Sequence, residues 1–313
     1  MGTLREFFLS LIDGARGYVI TTTLEFVPPE ADVILPPFTS RVTKQAIFSG
    51  CLPQLAELMK GRKAMKEARV TALMRGNMAL FSTGKMVIAR AGERLEGRVA
   101  IYAEDPSEAL EASMGCKGKV RIGSESLFFS VSRIDVEEVK RLSIGLEAGR
   151  PFKMSIRTPL LLPIELMTPP RLRGRKSIRE LGQAYKLVPT PAYLLSAAAR
   201  EWIAIVRGEQ ARESYMPYAV GRAADVFMYE LNYKLKPVTA LYRSRDGKLS
   251  KVRGPIGYVI YVLGSKRMER VTDRLLGFVA RMGLGKSRSI GFGDVAFNVL
   301  EAREGADVPA SPH

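Results

Sequence analysis

Histidine is almost absent from this sequence of 313 residues: the single one is His313, at the last position. That excludes a histidine-ligated zinc site, a Ser-His-Asp triad and a histidine general base. The two cysteines, Cys51 and Cys116, exclude a four-cysteine zinc site and a disulfide-rich scaffold. They are expected to be buried thiols, a disulfide being open only to a thermophilic cytosol. Asparagine (three) and glutamine (four) are scarce beside 26% charged residues, a balance that points to a thermophile. No apolar run approaches the roughly 20 residues of a membrane span. The opening MGTLREFF lacks the basic and then apolar start of a signal peptide. A soluble, cytoplasmic chain is expected.

What the sequence has in excess is positive charge. Lys and Arg number 48 against 32 Asp and Glu, a net charge of +16, and the pI is about 9.9. Such a surplus is the footprint of a polyanion, of which nucleic acid is the commonest; a generally basic proteome is the bland alternative. The hydrophobic content of 46% is ordinary for a globular chain. The length fits about two domains of ~100–200 residues.

The second half has the cleaner pattern. Residues 152–158 alternate like a strand and stop at Pro159. Residues 163–190, rich in Pro, Gly and Arg, read as a long loop. Pro191–Arg207 is Ala- and Leu-rich, with Pro at a first helical position and Gly208 as a stop. Residues 226–242 alternate with period two, interrupted at Pro237, and 256–263 form another β-branched run. Ser265 is placed to cap a helix on which Met268, Val271, Leu275, Val279 and Met282 recur at helical spacing, with Gly283 beyond it. Residues 294–300 close as a strand. The order strand, helix, strand, strand, helix, strand is the ferredoxin-like βαββαβ unit, which RNA-recognition modules share.

The first half allows the same reading. Tyr18–Phe26 is a strand. Thr39 or Ser40 caps a helix to about Lys60, bent near Pro53. Residues 68–74, 78–90, 94–103 and 125–133 read as strands, with a short helix near 106–114. The expected fold class is therefore α+β, two tandem ferredoxin-like domains. They are drawn as 1–145 and 146–303, joined near 140–151, followed by a tail at 304–313.

Residues 283–293 read GLGKSRSIGFG. The GKS invites a phosphate-binding P-loop, but Ala280 stands where that motif needs its first glycine. A P-loop also leaves a strand and opens a helix, and this segment does the reverse. What remains is a flexible, basic connection. Its glycines let backbone approach a ligand closely, and its N–H groups can form an anion nest. An ordinary helix-to-strand turn is the alternative; the basic chain favours a phosphate backbone.

A helix, then GLGKSRSIGFG, then a final strand resembles the C-terminal signature of the RAMP superfamily, the repeat-associated RNA-binding proteins of CRISPR systems. Residues 242–261 (YRSRDGKLSKVRGPIGYVIY) resemble the hairpin of the CRISPR repeat-processing endoribonuclease family. Residues 157–163 (RTPLLLP) resemble its Thr-Pro strand ending, and 185–203 the segment leading into its second-domain helix. LPPFTSRVTKQAIF (35–48) is similar to the loop and first helix of crenarchaeal members. The resemblance implies two facing ferredoxin-like domains with RNA held across them. It implies metal-independent attack of a ribose 2′-OH on the adjacent phosphate, leaving a 2′,3′-cyclic phosphate and a 5′-OH and releasing guide RNAs from a long transcript. No cofactor and no metal is expected. The partners implied are CRISPR repeat RNA and other CRISPR effector subunits, with no membrane, the protein being a monomer or homodimer. The alternative function is a non-catalytic RNA-binding subunit of a CRISPR effector complex, which the missing histidine favours. A general RNA-binding protein without a CRISPR role is a third reading.

Many family members carry a catalytic histidine in or near the first helix of domain one; this chain has none there. The matching segment offers Ser40, Arg41, Lys44 and Ser49. The chemistry needs a base, charge stabilisation at the phosphorane and a proton for the 5′-oxygen. Arg41 and Lys44, three residues apart, share a helical face. Lys44 is assigned as acid/base, since an ammonium among other cations gives up its proton more readily. Arg41 is assigned as phosphate stabiliser. The competing readings are a helix cap for Ser40 and a solvated basic face for the other two.

Three basic clusters are candidates for RNA binding: Arg171, Arg173, Arg175, Lys176 and Arg179 in the long loop; Arg243, Arg245, Lys248, Lys251 and Arg253 around the turn at Asp246-Gly247; and Gly285, Lys286, Ser287, Arg288 and Ser289 in the glycine-rich segment. Solvated loops are the plain alternative. Trp202 is expected in the core, and Tyr18, Tyr185 and Tyr215 either stack on bases or pack.

Overall fold

The computed structural model describes residues 4–51, 68–114, 116–172, 184–208, 214–243 and 248–301. The far end of the first-domain helix, the hairpin turn and the tail expected from the sequence lie outside these residues.

Helix α1 (Leu4–Ile12) opens the chain, followed by β1 (Tyr18–Val27) and β2 (Val33–Leu35). Helix α2 (Ser40–Ala46) continues into a π-helical turn, Ile47–Cys51. Then come β3 (Ala68–Val70), β4 (Met74–Arg75), β5 (Met78–Ala79), β6 (Val87–Ala89) and β7 (Leu95–Ala103). Helix α3 (Ser107–Ser113), β8 (Lys117–Ile122) and β9 (Glu125–Glu138) complete the first half. The single strand expected over 78–90 is two strands, because Ser82 turns the chain by donating to the Lys85 carbonyl at 2.7 Å.

The first sheet has the order β5-β4-β7-β1-β9-β8, with β3 also on β7. The central strand β1 is rich in β-branched residues, which suit a pleated surface. It runs antiparallel to β7 and β9, with a register shift at Thr23/Leu24. Its core includes Ile20, Leu24, Phe26, Leu95, Val99 and Phe129.

The second half contains β10 (Pro151–Ile156), β11 (Leu162–Pro163), β12 (Tyr185–Lys186), α4 (Pro191–Ile205), α5 (Met216–Phe227), β13 (Met228–Arg243), β14 (Leu249–Leu263), α6 (Lys266–Met282) and β15 (Val295–Val299). Its sheet order is β13-β14-β10-β15, all pairs antiparallel. This is the expected βαββαβ topology. The buried alternates Phe152, Met154 and Ile156 of β10 share one core with Leu194 and Trp202 of α4 and with Val271, Leu275 and Phe278 of α6. The Ser265 hydroxyl caps α6 by accepting from Arg267 N–H at 3.3 Å.

Four local expectations need correction. Neither Thr39 nor Ser40 makes a side-chain cap on α2; both hydroxyls are used in tertiary bonds instead. Pro237 does not interrupt β13, where it pairs opposite Pro255. Because β13 is an edge strand, a missing N–H is tolerated there. Helix α5 was not anticipated, although Pro217, Val220, Gly221 and Ala224 form its buried stripe at helical spacing. Cys116 is disulfide-bonded rather than a free thiol; it immediately precedes β8, which packs beside the π-helical turn that ends at Cys51.

The two halves are firmly joined. Helix α1 packs into the second core through Phe8, Leu11 and Ile12, and the Trp202 indole donates to the Leu11 carbonyl at 2.9 Å. The connecting segment lies on α6. Asp273 accepts from Ile144 and Leu146 N–H at 2.9 and 3.0 Å, and Glu269 from Ala148 N–H at 2.7 Å. Arg281 makes a bidentate bridge to Glu137 at 2.7 and 2.9 Å. No helix among the described residues is long and apolar enough to cross a membrane.

Candidate RNA-binding and cleavage site

Three segments far apart in sequence meet at one aromatic cluster. Phe38, just before α2, lies 4.4 Å centroid to centroid from Phe292 of the glycine-rich loop. Tyr242, on the hairpin strand β13, meets Phe292 edge-on at 5.6 Å. Leu161 and Ala240 complete the cluster. The hairpin is tied to the first half by Leu241 N–H donating to the Ser82 carbonyl at 3.3 Å. The start of α2, the loop and the turn end of the hairpin therefore meet at one candidate site.

The glycine-rich loop is packed against the rest of the fold. Leu284 N–H donates to Gly293 O at 2.9 Å, Lys286 N–H to Leu161 O at 2.9 Å, and Gly293 N–H to Pro159 O at 3.1 Å. Thr158 Oγ1 donates to Gly291 O and accepts Asp294 N–H, both at 2.9 Å. This gives the Thr-Pro strand ending a role: it clamps the loop. The glycine at 291 is required, since φ is +98° and a Cβ would lie 2.8 Å from Ser40 Cβ and 3.0 Å from the Phe38 ring. Ser287 adopts φ +65° without being glycine. At the loop's crest it is exposed.

The sequence candidates separate by environment. On α2, Val42, Thr43 and Ala46 are buried, Arg41 is exposed and Lys44 half-buried. Arg41 has no side-chain partner among the described residues. Ser40 is 1% exposed and donates to the Ile290 carbonyl. Its hydroxyl is a seam between the halves. Ser49 is exposed and donates to Ala46 O at 2.7 Å. In the loop, Gly285 is buried, Lys286 and Ser289 are half-buried, and Arg288 is only 6% exposed. Arg288 donates to Met282 O at 2.8 Å and faces Glu201 at 3.4 Å, so it supports the loop from inside. Lys286 lies 3.8 Å from Glu165 and over the Tyr185 ring at 5.8 Å. Burial, with Tyr242 and Glu165 nearby, raises the Tyr185 hydroxyl above the ordinary tyrosine value.

On the hairpin, Lys248, Lys251 and Arg253 are exposed. Arg243 ends β13, and Arg245 falls outside the described residues. Arg171 is exposed at the start of the long loop, whereas Arg173, Arg175, Lys176 and Arg179 also fall outside. Tyr18 is half-buried, Tyr215 is 59% exposed and Trp202 is fully buried.

Sequence reasoning missed a second cationic region. A cleft of about 450 Å³ between the sheets is lined by Arg69, Arg98, Arg133, Arg157 and Arg281, with Asp135, Glu137 and Asp294. Arg69 of β3 is buried. It pairs with Asp294 and donates to the carbonyls of Ala280 and Arg281 at 3.2 and 2.7 Å. Burial pulls its guanidinium below the ordinary arginine value, and Asp294 opposes the shift. Arg133 is paired with Asp135 at 2.7 Å. Arg157 is half-buried, and its guanidinium has no partner among the described residues. No sequence signal marks these arginines, because their partners are up to 225 residues away. Among the described residues, no group of three or more His, Cys, Asp or Glu side chains is gathered as metal ligands would be.

Residues 22–137 match the model of the Cas6 N-terminal domain, and residues 164–295 match that of the CRISPR-associated endoribonuclease Cas6. The chain is 27% identical over 292 residues to CRISPR-associated endoribonuclease Cas6 2 of Saccharolobus solfataricus, covering 89% of this chain and 96% of that protein. It is 25% identical over 287 residues to Cas6 1 of the same organism, with the same two coverages. Among solved structures, a Cas6 product complex aligns with a TM-score of 0.60 at 15% identity, over 89% of this chain and 99% of that one. Thermus thermophilus Cas6 aligns with a TM-score of 0.55 at 13% identity, over 91% and 100%. At such identities these structures carry the fold, and they agree with the tandem ferredoxin-like arrangement. The two family models between them span most of the sequence, one on each half, and on that ground the chain belongs to the CRISPR-associated endoribonuclease Cas6 family.

Proposed function

We propose that the protein binds CRISPR repeat RNA and cleaves precursor transcripts into guide RNAs without a metal ion. The ribose 2′-OH attacks the adjacent phosphate and leaves a 2′,3′-cyclic phosphate and a 5′-OH. The observation that carries this reading is the meeting of α2, the glycine-rich loop and the basic hairpin around Phe38, Phe292 and Tyr242.

Arg41 projects from α2 beside the loop and stabilises charge on the phosphorane. Lys44, one turn on, serves as the acid/base. Ser40 and Arg288 stay in the framework, and Ser287 with the Lys286 ammonium offers the RNA a hydroxyl and a cation. Lys248, Lys251 and Arg253 track phosphates of the repeat. The arginine cleft, with Arg157 unpaired among the described residues, receives a further stretch of strand held across the two halves. Much of the rate then comes from holding the 2′-OH in line with its leaving oxygen.

The second reading is an RNA-binding subunit of a CRISPR effector complex that does not cleave; the absence of an internal histidine favours it. Repeat RNA incubated with the full chain in EDTA, with analysis of product ends, separates the two. A single cut with a cyclic phosphate supports the nuclease. Tight binding without a cut supports the subunit, and cleavage only on adding a divalent metal overturns the metal-free mechanism.

A further inference from the structure

We propose that Glu201 is a positioning residue: from inside the second domain its carboxylate holds the glycine-rich loop in the shape that receives RNA. This role rests on the nuclease reading above, and it deepens that reading by adding a control of the site from the core.

Glu201 is carried on α4, the main core helix, and is fully buried. One oxygen accepts the N–H of Gly285 at 2.5 Å. The other lies 3.4 Å from Arg288 Nε, within ion-pair distance but without a hydrogen bond. Gly285 and Arg288 bracket Lys286 and Ser287, so a single carboxylate grips both ends of the crest. Arg288 passes the hold on to the last turn of α6 through the Met282 carbonyl. Nothing in the proposed chemistry calls for an acid at this depth. An isolated buried carboxylate is costly, and here the loop offsets part of that cost.

The charged groups facing Glu201 are Arg288 from the loop, Arg200 from its own helix and Arg69 from β3 across the interface. All three favour the ionised form, as does the Gly285 N–H. Burial outweighs them and raises the carboxyl to about 7. The grip on Arg288 therefore strengthens as pH rises through neutrality. The ionised fraction falls about tenfold between pH 8 and pH 6. Glu201→Gln keeps an acceptor for the Gly285 N–H but fixes the uncharged state.

The test is amide hydrogen exchange of residues 285–290 in the full chain at pH 8 and pH 6, corrected for intrinsic rates, in wild type and Glu201→Gln. Single-turnover cleavage of repeat RNA is measured in parallel. The expected result is loop protection that drops by about tenfold in wild type at pH 6 and is low at both pH values in Glu201→Gln, with the cleavage rate following. Protection in Glu201→Gln equal to wild type at pH 8 overturns the proposal, with a denaturant unfolding curve showing that the variant is folded. Loop protection that responds to pH in a wild type that cuts no RNA at any pH supports the grip and removes the nuclease reading.

Discussion

Ser40, the first residue of α2, donates its hydroxyl to the carbonyl of Ile290, the residue before the Gly291 turn of the glycine-rich loop. The bond joins the two halves of the chain at the candidate site, with Ser40 buried and Ile290 half-buried. It fixes where Arg41 stands relative to Ser287. Ser40→Ala removes the donor to this half-buried carbonyl, at a cost of about 0.5–1.5 kcal/mol. The expected outcome is a lower unfolding midpoint in denaturant together with weaker cleavage. Cleavage at the wild-type rate would show that the seam does not position the site.

Gly291→Ala meets the same seam from the other side. A Cβ there is forced against Ser40 and Phe38 at a backbone conformation that favours glycine. Strain of this kind costs about 1–3 kcal/mol before any clash is counted. The variant is expected to lose more stability than Ser40→Ala, as read by thermal or denaturant unfolding.

Arg41 and Lys44 carry the proposed chemistry. Replacing both by Ala is expected to slow single-turnover cleavage at least ~100-fold while leaving RNA affinity within a few-fold, in line with general acid–base contributions. An unchanged rate would remove both residues from the mechanism.

Lys251 and Arg253 lie exposed on β14. If they contact phosphates, replacing both by Ala weakens RNA binding at every sequence and lowers the slope of log affinity against log salt by about 1–2. A slope equal to wild type would place the RNA elsewhere. The fold is expected to be unaffected, because both side chains face solvent.

Much of the second domain was legible because its elements carry local signals. Met268, Val271, Leu275, Val279 and Met282 mark α6 by spacing alone, and Ser265 and Gly283 mark its ends. The resemblance of 283–293 and 242–261 pointed to two parts of the candidate site. What could not be read were relations set by the third dimension. Arg288 looks like any loop cation in sequence, yet it is buried against Glu201 and Met282. Ser40 looks like a helix cap, yet its partner is 250 residues away. Helix α5 was missed because its stripe uses Pro, Gly and Ala rather than large apolar residues.

Arg69 and Asp294 give a stability test of the domain interface. Asp294→Ala leaves the Arg69 guanidinium buried without its counter-charge, for which about 3–5 kcal/mol is typical. A large drop in denaturant midpoint is expected, and a change below about 1 kcal/mol would mean that water reaches Arg69 in solution.

The buried carboxyl of Glu201 also makes a stability prediction with a definite sign. Its folded-state value is about 7, above the ordinary glutamate value of 4.5. Between these two values the folded chain holds a proton that the unfolded chain has released. Its contribution is present below pH 4.5 and is lost as pH rises through 7. Denaturant midpoints at pH 5 and pH 8 should therefore fall more steeply in wild type than in Glu201→Gln. Parallel slopes would mean that Glu201 is ionised throughout.

The most direct test of the functional account is incubation of the purified full chain with a CRISPR repeat RNA in EDTA, followed by identification of the product ends. The account expects one cut within the repeat, with a 2′,3′-cyclic phosphate on one product and a 5′-OH on the other. Tight binding with no cut across temperatures up to a thermophile's range would contradict it.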